Sequence, residues 1–116
     1  MRLVIVESPY AGNVTLNVRY ARAALRDCLT RGEAPFASHL LYTQDGVLDD
    51  YNPEQRRLGI AAGLEWARVC EHVVFYLDLG WSPGMLAALE RHTKDGHSME
   101  ERRLGISWSD LAKRGT

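Results

Sequence analysis

Two carboxylates, one serine–glycine turn and a few ring-bearing side chains are the groups in this sequence that could carry chemistry. Glu7 follows the apolar run Arg2–Val6, and Asp78 follows the run His72–Leu77. Two acids at neighbouring strand ends can share one site, where like charge and burial keep one of them protonated for acid–base work. The competing reading is that each caps its own loop through backbone N–H groups. Ser82-Pro83-Gly84-Met85 has the form of a helix start, with Ser82 as N-cap and Pro83 at the first helical position. The free N–H groups of Gly84 and Met85, the Ser82 hydroxyl and the helix dipole would together hold a phosphate or a carboxylate. Gly84 lets a ligand oxygen approach the backbone closely. A plain helix cap explains the same letters. Tyr10 lies in the loop after the first run and is either a ligand contact or a lid over an apolar edge. His39 follows a second, short run, as a ligand contact or a structural imidazole. Of Arg56 and Arg57, one can reach a phosphate while the other pairs with Asp49, Asp50 or Glu54. His72, His92 and His97 share no metal-ligand spacing, so no metal is expected, and no cofactor fingerprint is present.

These groups need elements to position them. Arg2–Val6 is a short β-branched run without alternation, the pattern of a strand buried on both faces. Asn13 caps a helix over about Val14–Arg31, with Val18, Ala21, Leu25, Cys28 and Leu29 on its buried face and Arg19, Arg22 and Arg26 outside. Pro35–Ser38 reads as a second strand, and His39–Tyr51 as a long polar loop. Asn52 and Pro53 open a helix that runs to about Val69. His72–Leu77 gives the strongest strand signal. A helix over Pro83–His92, an edge strand over Met99–Leu104 and a short helix over Trp108–Lys113 complete the chain. Strands alternating with helices predict a flavodoxin-like or Rossmann-like three-layer α/β sandwich, with a parallel four-stranded sheet in the order 2-1-3-4 and helices on both faces. In such sheets ligands bind at the carboxyl ends where the winding reverses, here between strands 1 and 3. That rule selects the loops holding Glu7 and Asp78.

With 116 residues the chain is one domain, 1–116. Its 46% hydrophobic and 25% charged residues exclude a disordered or fibrous chain. Fourteen basic against fifteen acidic side chains give a net charge of −1, which argues against a duplex nucleic-acid partner. Cys28 and Cys70 read as small buried hydrophobes rather than a disulfide framework. No run is long enough for a membrane span and the N-terminus has no signal-peptide pattern, so a cytoplasmic protein is expected.

Glu7-Ser8-Pro9-Tyr10, Pro35–His39, Leu48-Asp49-Asp50, Arg57-Leu58-Gly59-Ile60, and Tyr76-x-Asp78-x-Gly80-x-Ser82-x-Gly84-Met85 together resemble the nucleoside 2-deoxyribosyltransferase-like superfamily, in particular a group of small phage and bacterial proteins within it. The resemblance implies a pocket for a nucleotide or a nucleotide-derived metabolite, lined by Ser8, Pro9, Tyr10, His39, Arg57, Gly80, Ser82, Gly84 and Met85. Ser82 and Gly84 match the turn that holds a 5′-phosphate, and Tyr10 matches a sugar or base contact. It also implies a homodimer or higher oligomer, for which the Gly59/Gly63 face and Trp66 are the candidates, and an encoding phage in a host cytoplasm. The chain departs from the family at the nucleophilic glutamate, whose position is Ala88, six residues after Ser82. Spacing directs position 88 toward the crevice, while Glu90 lies about 200° further round the helix and faces away. A binding protein that sequesters a nucleotide signal is therefore the first expectation. An N-glycosidase of nucleoside 5′-monophosphates, using Glu7 or Asp78, is the second. A structural oligomer with a vestigial pocket is the third.

Overall fold

The structure, a computed structural model, describes residues 1–105 and 107–110. Eight elements follow one another: β1 (Arg2–Glu7), α1 (Val14–Thr30), β2 (Glu33–Phe36), α2 (Ser38–Leu41), α3 (Pro53–Ala67), β3 (His72–Tyr76), α4 (Pro83–Lys94) and β4 (Met99–Arg102). The strands form one sheet in the order β2-β1-β3-β4, and every pairing is parallel. This is the expected Rossmann-like α/β sandwich.

Alternation along the two central strands builds two cores, because successive side chains point to opposite faces. Val4, Val6, Val74 and Tyr76 meet Tyr20, Ala24 and Cys28 of α1. Ile5, Val73, Phe75 and Leu77 meet Ala67 of α3 and Met85 and Ala88 of α4 on the other face. The chain winds from β1 through α1 to β2, then crosses back to β3, so the winding reverses between β1 and β3.

Local chemistry sets the helix starts as expected. Asn13 accepts from the Leu16 amide at 3.2 Å, Asn52 from the Glu54 and Gln55 amides at 3.0 and 3.1 Å, and Ser82 from the Met85 amide at 3.2 Å. Each satisfies one or two of the orphan donors of a first turn. Other expectations shift. The buried face of α1 is rotated: Asn17, Tyr20 and Ala24 are buried with Ala21 and Cys28, while Leu29 is exposed. Asn17 tolerates burial because its amide donates to the Tyr10 and Ala11 carbonyls. The second strand begins two residues before Pro35, which an edge strand accommodates because it has an unpaired side. Ser38 opens a helical turn, so His39 stands on α2 and not in a loop. Residues 107–110 are helical, and the rest of the expected terminal helix lies outside the described residues.

A buried ion cluster joins the two edge strands. Arg102 of β4 donates to both carboxylate oxygens of Glu33 of β2, at 2.7 and 2.8 Å, and to Glu100 at 3.0 Å. Among the described residues no helix is long and apolar enough to cross a membrane.

Candidate functional site

A cavity of about 260 Å³ opens over the carboxyl ends of β1 and β2, with α3 and α4 as its walls. This is just under the range of ordinary small-molecule pockets. Ile5 and Glu7 of β1 and Phe36 of β2 line it from the sheet. Ser8, Tyr10 and Ala11 line it from the loop after β1, and Ser38, His39 and Tyr42 from the α2 region. Arg56, Gly59 and Gly63 contribute from α3, and Ser82, Gly84, Met85, Arg91 and His92 from α4 and its cap.

The α3 glycines explain how the helix comes so close. A Cβ on Gly63 would stand 2.9 Å from both Cβ and Oγ of Ser38, and one on Gly59 would stand 3.3 Å from Leu48. Both glycines are consumed by packing within the chain. The Gly59/Gly63 face is thus a cavity wall and not the free oligomer interface expected from sequence. Trp66 is half exposed, but its ring stacks at 5.3 Å on Phe36 and its indole N–H donates to the Tyr42 hydroxyl at 2.9 Å.

Cationic groups surround the α4 end of the cavity. Arg56 pairs with Asp50 at 2.9 Å. A Cβ on Gly84 would lie 3.8 Å from Arg56 Nη2 and 3.9 Å from Ser82 Oγ, so a gap of ligand-atom size separates the guanidinium from the helix start. The Ser82 oxygen accepts from Met85, which leaves its O–H free to donate. Among the described residues the Gly84 amide has no backbone partner outside its helix. Arg91, two turns further along, carries a buried Nε with no hydrogen-bond partner among the described residues. A buried unsatisfied donor costs about 1–3 kcal/mol, and more when it is charged, unless something accepts from it.

On the opposite wall, Ser8 Oγ and His39 Nε2 are 2.6 Å apart. Burial pushes the His39 imidazole below its ordinary value, against the pull of Glu7 and Asp50 upward. Glu7 stands at the floor with its side chain 17% exposed and His92 Nε2 3.9 Å away.

The two acids of the strand ends are not brought together. Asp78 is buried and lies outside the cavity lining. It accepts from the Tyr20 hydroxyl at 2.6 Å and from the Leu104 and Gly105 amides at 2.7 and 2.9 Å. Burial works to raise its carboxyl, but these three donors hold it below the usual range. The structure gives Asp78 the loop-capping role, fixing the exit of β4 against α1. The cavity is therefore displaced from the β1/β3 junction toward β2. Pro9, Gly80 and Arg57 also lie outside the lining, Arg57 exposed on α3 and Gly80 in a turn at φ +86°. Arg56, one position earlier and about 100° round the helix, takes the place expected of Arg57. Ala88 is 1% exposed within the apolar cluster that α4 shares with the sheet, and it does not line the cavity. Glu90 is exposed, as expected. Glu7, Ser8, Tyr10, His39, Ser82, Gly84 and Met85 all line the cavity.

Sequence reasoning missed Arg91 and His92. Both lie one helical repeat beyond Gly84 and Met85, and seven-residue spacing along an α-helix keeps a residue on one face. Among the described residues no cluster of three or more His, Cys, Asp or Glu side chains is arranged to hold a metal ion.

A family model described as Domain of unknown function (DUF7768) matches residues 2–107. Nothing matches among curated proteins or among solved structures.

Proposed function

The chain belongs to the DUF7768 family, and we propose that its cavity binds a nucleotide or a nucleotide-derived metabolite. The observation that carries this reading is Arg91. Arg91 lines the cavity with its guanidinium, whose Nε is satisfied by no group among the described residues, and sets a positive charge beside any anion held there. Arg56, the Ser82 hydroxyl and the Gly84 amide supply a second set of donors at the head of α4, suited to phosphate. Tyr10, Phe36 and Tyr42 offer aromatic surface for a planar base.

Binding without turnover is the reading we favour, because Ala88 stands where the resembled deoxyribosyltransferase-like enzymes carry their nucleophile and Asp78 is fully engaged elsewhere. One observation favours a second reading, hydrolysis of an N-glycosidic bond. Glu7 is a partly buried carboxylate at the cavity floor, and it has no hydrogen-bond partner among the described residues. In that reading Glu7 exchanges the proton of the leaving base or of the attacking water. Incubation with a mixture of nucleotides, followed by mass spectrometry of bound and released material, separates the two. Retained intact nucleotide supports the binder, and free base at ordinary enzymatic turnover of about 1 per second or faster overturns it. Absence of any retained or cleaved nucleotide overturns both.

A further inference from the structure

From the cavity floor outward the structure sets three titratable groups next to one another, Glu7, His92 and His97. His92 is 3% exposed and lines the cavity from α4. Its Nε2 stands 3.9 Å from Glu7 Oε1, and its Nδ1 stands 2.9 Å from Nδ1 of His97. The His97 amide donates to the His92 carbonyl at 3.0 Å, which fixes the two rings side by side with centroids 5.1 Å apart. His97 lies on the turn after α4 and is only partly buried. Phe75 presents its ring to His92 at 6.4 Å from β3, and Arg91 is the neighbouring charged group of α4 at the cavity wall.

The contact between the rings restricts their protons. A neutral imidazole has one N–H donor and one acceptor nitrogen. A hydrogen bond between two Nδ1 atoms holds one proton, so one ring is the Nδ1–H tautomer and the other the Nε2–H tautomer. The carboxylate selects between the two arrangements. An Nε2–H on His92 points a positive dipole at Glu7, whereas a bare Nε2 would set a lone pair against a negative oxygen. With both rings neutral, this arrangement places the proton of His92 on Nε2 and that of His97 on Nδ1.

We propose that His92 and His97 are positioning residues that connect the proton of Glu7 with solvent. The proposal rests on the second reading above, in which Glu7 is the proton-transfer carboxylate of the cavity. A proton taken from water at Nε2 of His97 releases that ring's Nδ1 proton to Nδ1 of His92. His92 then gives its Nε2 proton to Glu7 when a turn of the Glu7 carboxylate closes their 3.9 Å separation to hydrogen-bond distance. Each ring gains one proton and loses one, one proton crosses from solvent to the carboxylate, and no heavy-atom bond changes. The reverse transfer, outward from Glu7, restores both tautomers. A cavity closed over its ligand would in this way keep a proton path that does not pass the ligand.

Long-range 1H–15N correlation spectra of the ligand-free full chain at about pH 8 read the tautomers directly. The expected result is His92 protonated on Nε2 and His97 on Nδ1, and an Nδ1–H tautomer of His92 overturns the proposal. Solvent exchange of the buried His92 Nε2 proton gives the second reading. His97→Phe, or His97→Asn if the phenylalanine does not fold, should slow that exchange by about tenfold or more, the rate factor of a barrier raised by about 1.4 kcal/mol. Unchanged exchange in a variant with a native amide spectrum overturns the relay. Neither measurement needs a nucleotide. A chain showing both signatures without binding any nucleotide would defeat the reading of the pocket and leave the relay standing.

Discussion

Ser8 Oγ lies 2.6 Å from His39 Nε2, a bond that ties the loop after β1 to the helical turn after β2 at the mouth of the cavity. A serine hydroxyl can donate to a neutral imidazole nitrogen and can also accept from a protonated one, but burial disfavours the charged ring. The His39 imidazole is accordingly held below its ordinary value of 6.5 by desolvation, with Glu7 and Asp50 opposing.

This sets a pH dependence. A histidine that is harder to protonate in the folded state favours unfolding wherever the unfolded chain already carries the proton. Its contribution is complete above the unfolded value of 6.5 and is lost as the pH falls below it. The melting temperature of the wild type should therefore fall between about pH 7.5 and pH 5.5, and His39→Gln should lose part of that fall. Parallel melting curves at the two pH values check this, and an identical fall in the variant would contradict it.

Ala88→Glu should not install a nucleophile. The side chain at 88 is 1% exposed within the apolar cluster of Ile5, Phe75, Leu77 and Met85, so a carboxylate there is buried among apolar groups. The expected cost is about 3 kcal/mol or more, from desolvation and overpacking together. Denaturant titration reads the cost. A variant of wild-type stability that releases free base would show that position 88 reaches the cavity after all.

Gly63→Ala tests how α3 forms the cavity wall. The added methyl would meet the Cβ and Oγ of Ser38 at 2.9 Å, in a contact between two helices with little freedom to separate. A loss of about 1–3 kcal/mol is expected, the usual range for overpacking. Gly59→Ala meets only the end of the Leu48 side chain and should cost less. Equal effects of the two substitutions in the same melting assay would contradict the packing described.

The Glu33–Arg102 pair should dominate acid unfolding. Hydrogen bonds from Arg102 hold the Glu33 carboxyl down at about 2, against burial that works to raise it. Its stabilisation is present above the unfolded value of 4.5 and is lost as the pH falls toward 2. Arg102→Met leaves the buried Glu33 carboxylate with only the half-exposed Arg2, 2.8 Å away, as its partner and should cost up to about 3 kcal/mol near neutral pH, while Glu33→Leu combined with Arg102→Met should recover much of that. A double variant no more stable than the single one would count against this account.

What the sequence disclosed, and what it hid, divides by range. The order of elements and the three asparagine and serine caps were legible, because each depends on residues within four positions of one another. The central strands were legible from their β-branched and aromatic content. The α1 face was not, because Tyr20 and Asn17 are buried by polar partners: Tyr20 bonds to Asp78, 58 residues away, and Asn17 to the loop before its helix. The same long-range bond took Asp78 out of the site that its strand-end position suggested. Arg56 and Arg57 could not be told apart by letters, since one residue is about 100° of helix and only packing against α2 fixes the phase. Ser82 and Gly84 were found because a helix start is a local pattern. Arg91 and His92 are recoverable from their seven-residue spacing to Gly84 and Met85 at the same start.

Isothermal titration of a nucleoside 5′-monophosphate into the wild type, Arg91→Met, Ser82→Ala and Gly84→Val tests the central claim most directly. The account predicts saturable heat with the wild type. Arg91→Met and Ser82→Ala should each weaken binding by about ten- to a hundredfold, the value of one hydrogen bond to a charged group of about 1.5–3 kcal/mol. Gly84→Val should weaken it further by filling the gap beside Arg56 and Ser82. Ser82→Ala also removes a helix cap worth about 1 kcal/mol, so each variant is first shown to be folded at the temperature of the titration. Equal affinity across the four proteins, or no saturable heat with any nucleoside monophosphate in the folded wild type, would contradict the assignment of this cavity as a nucleotide site.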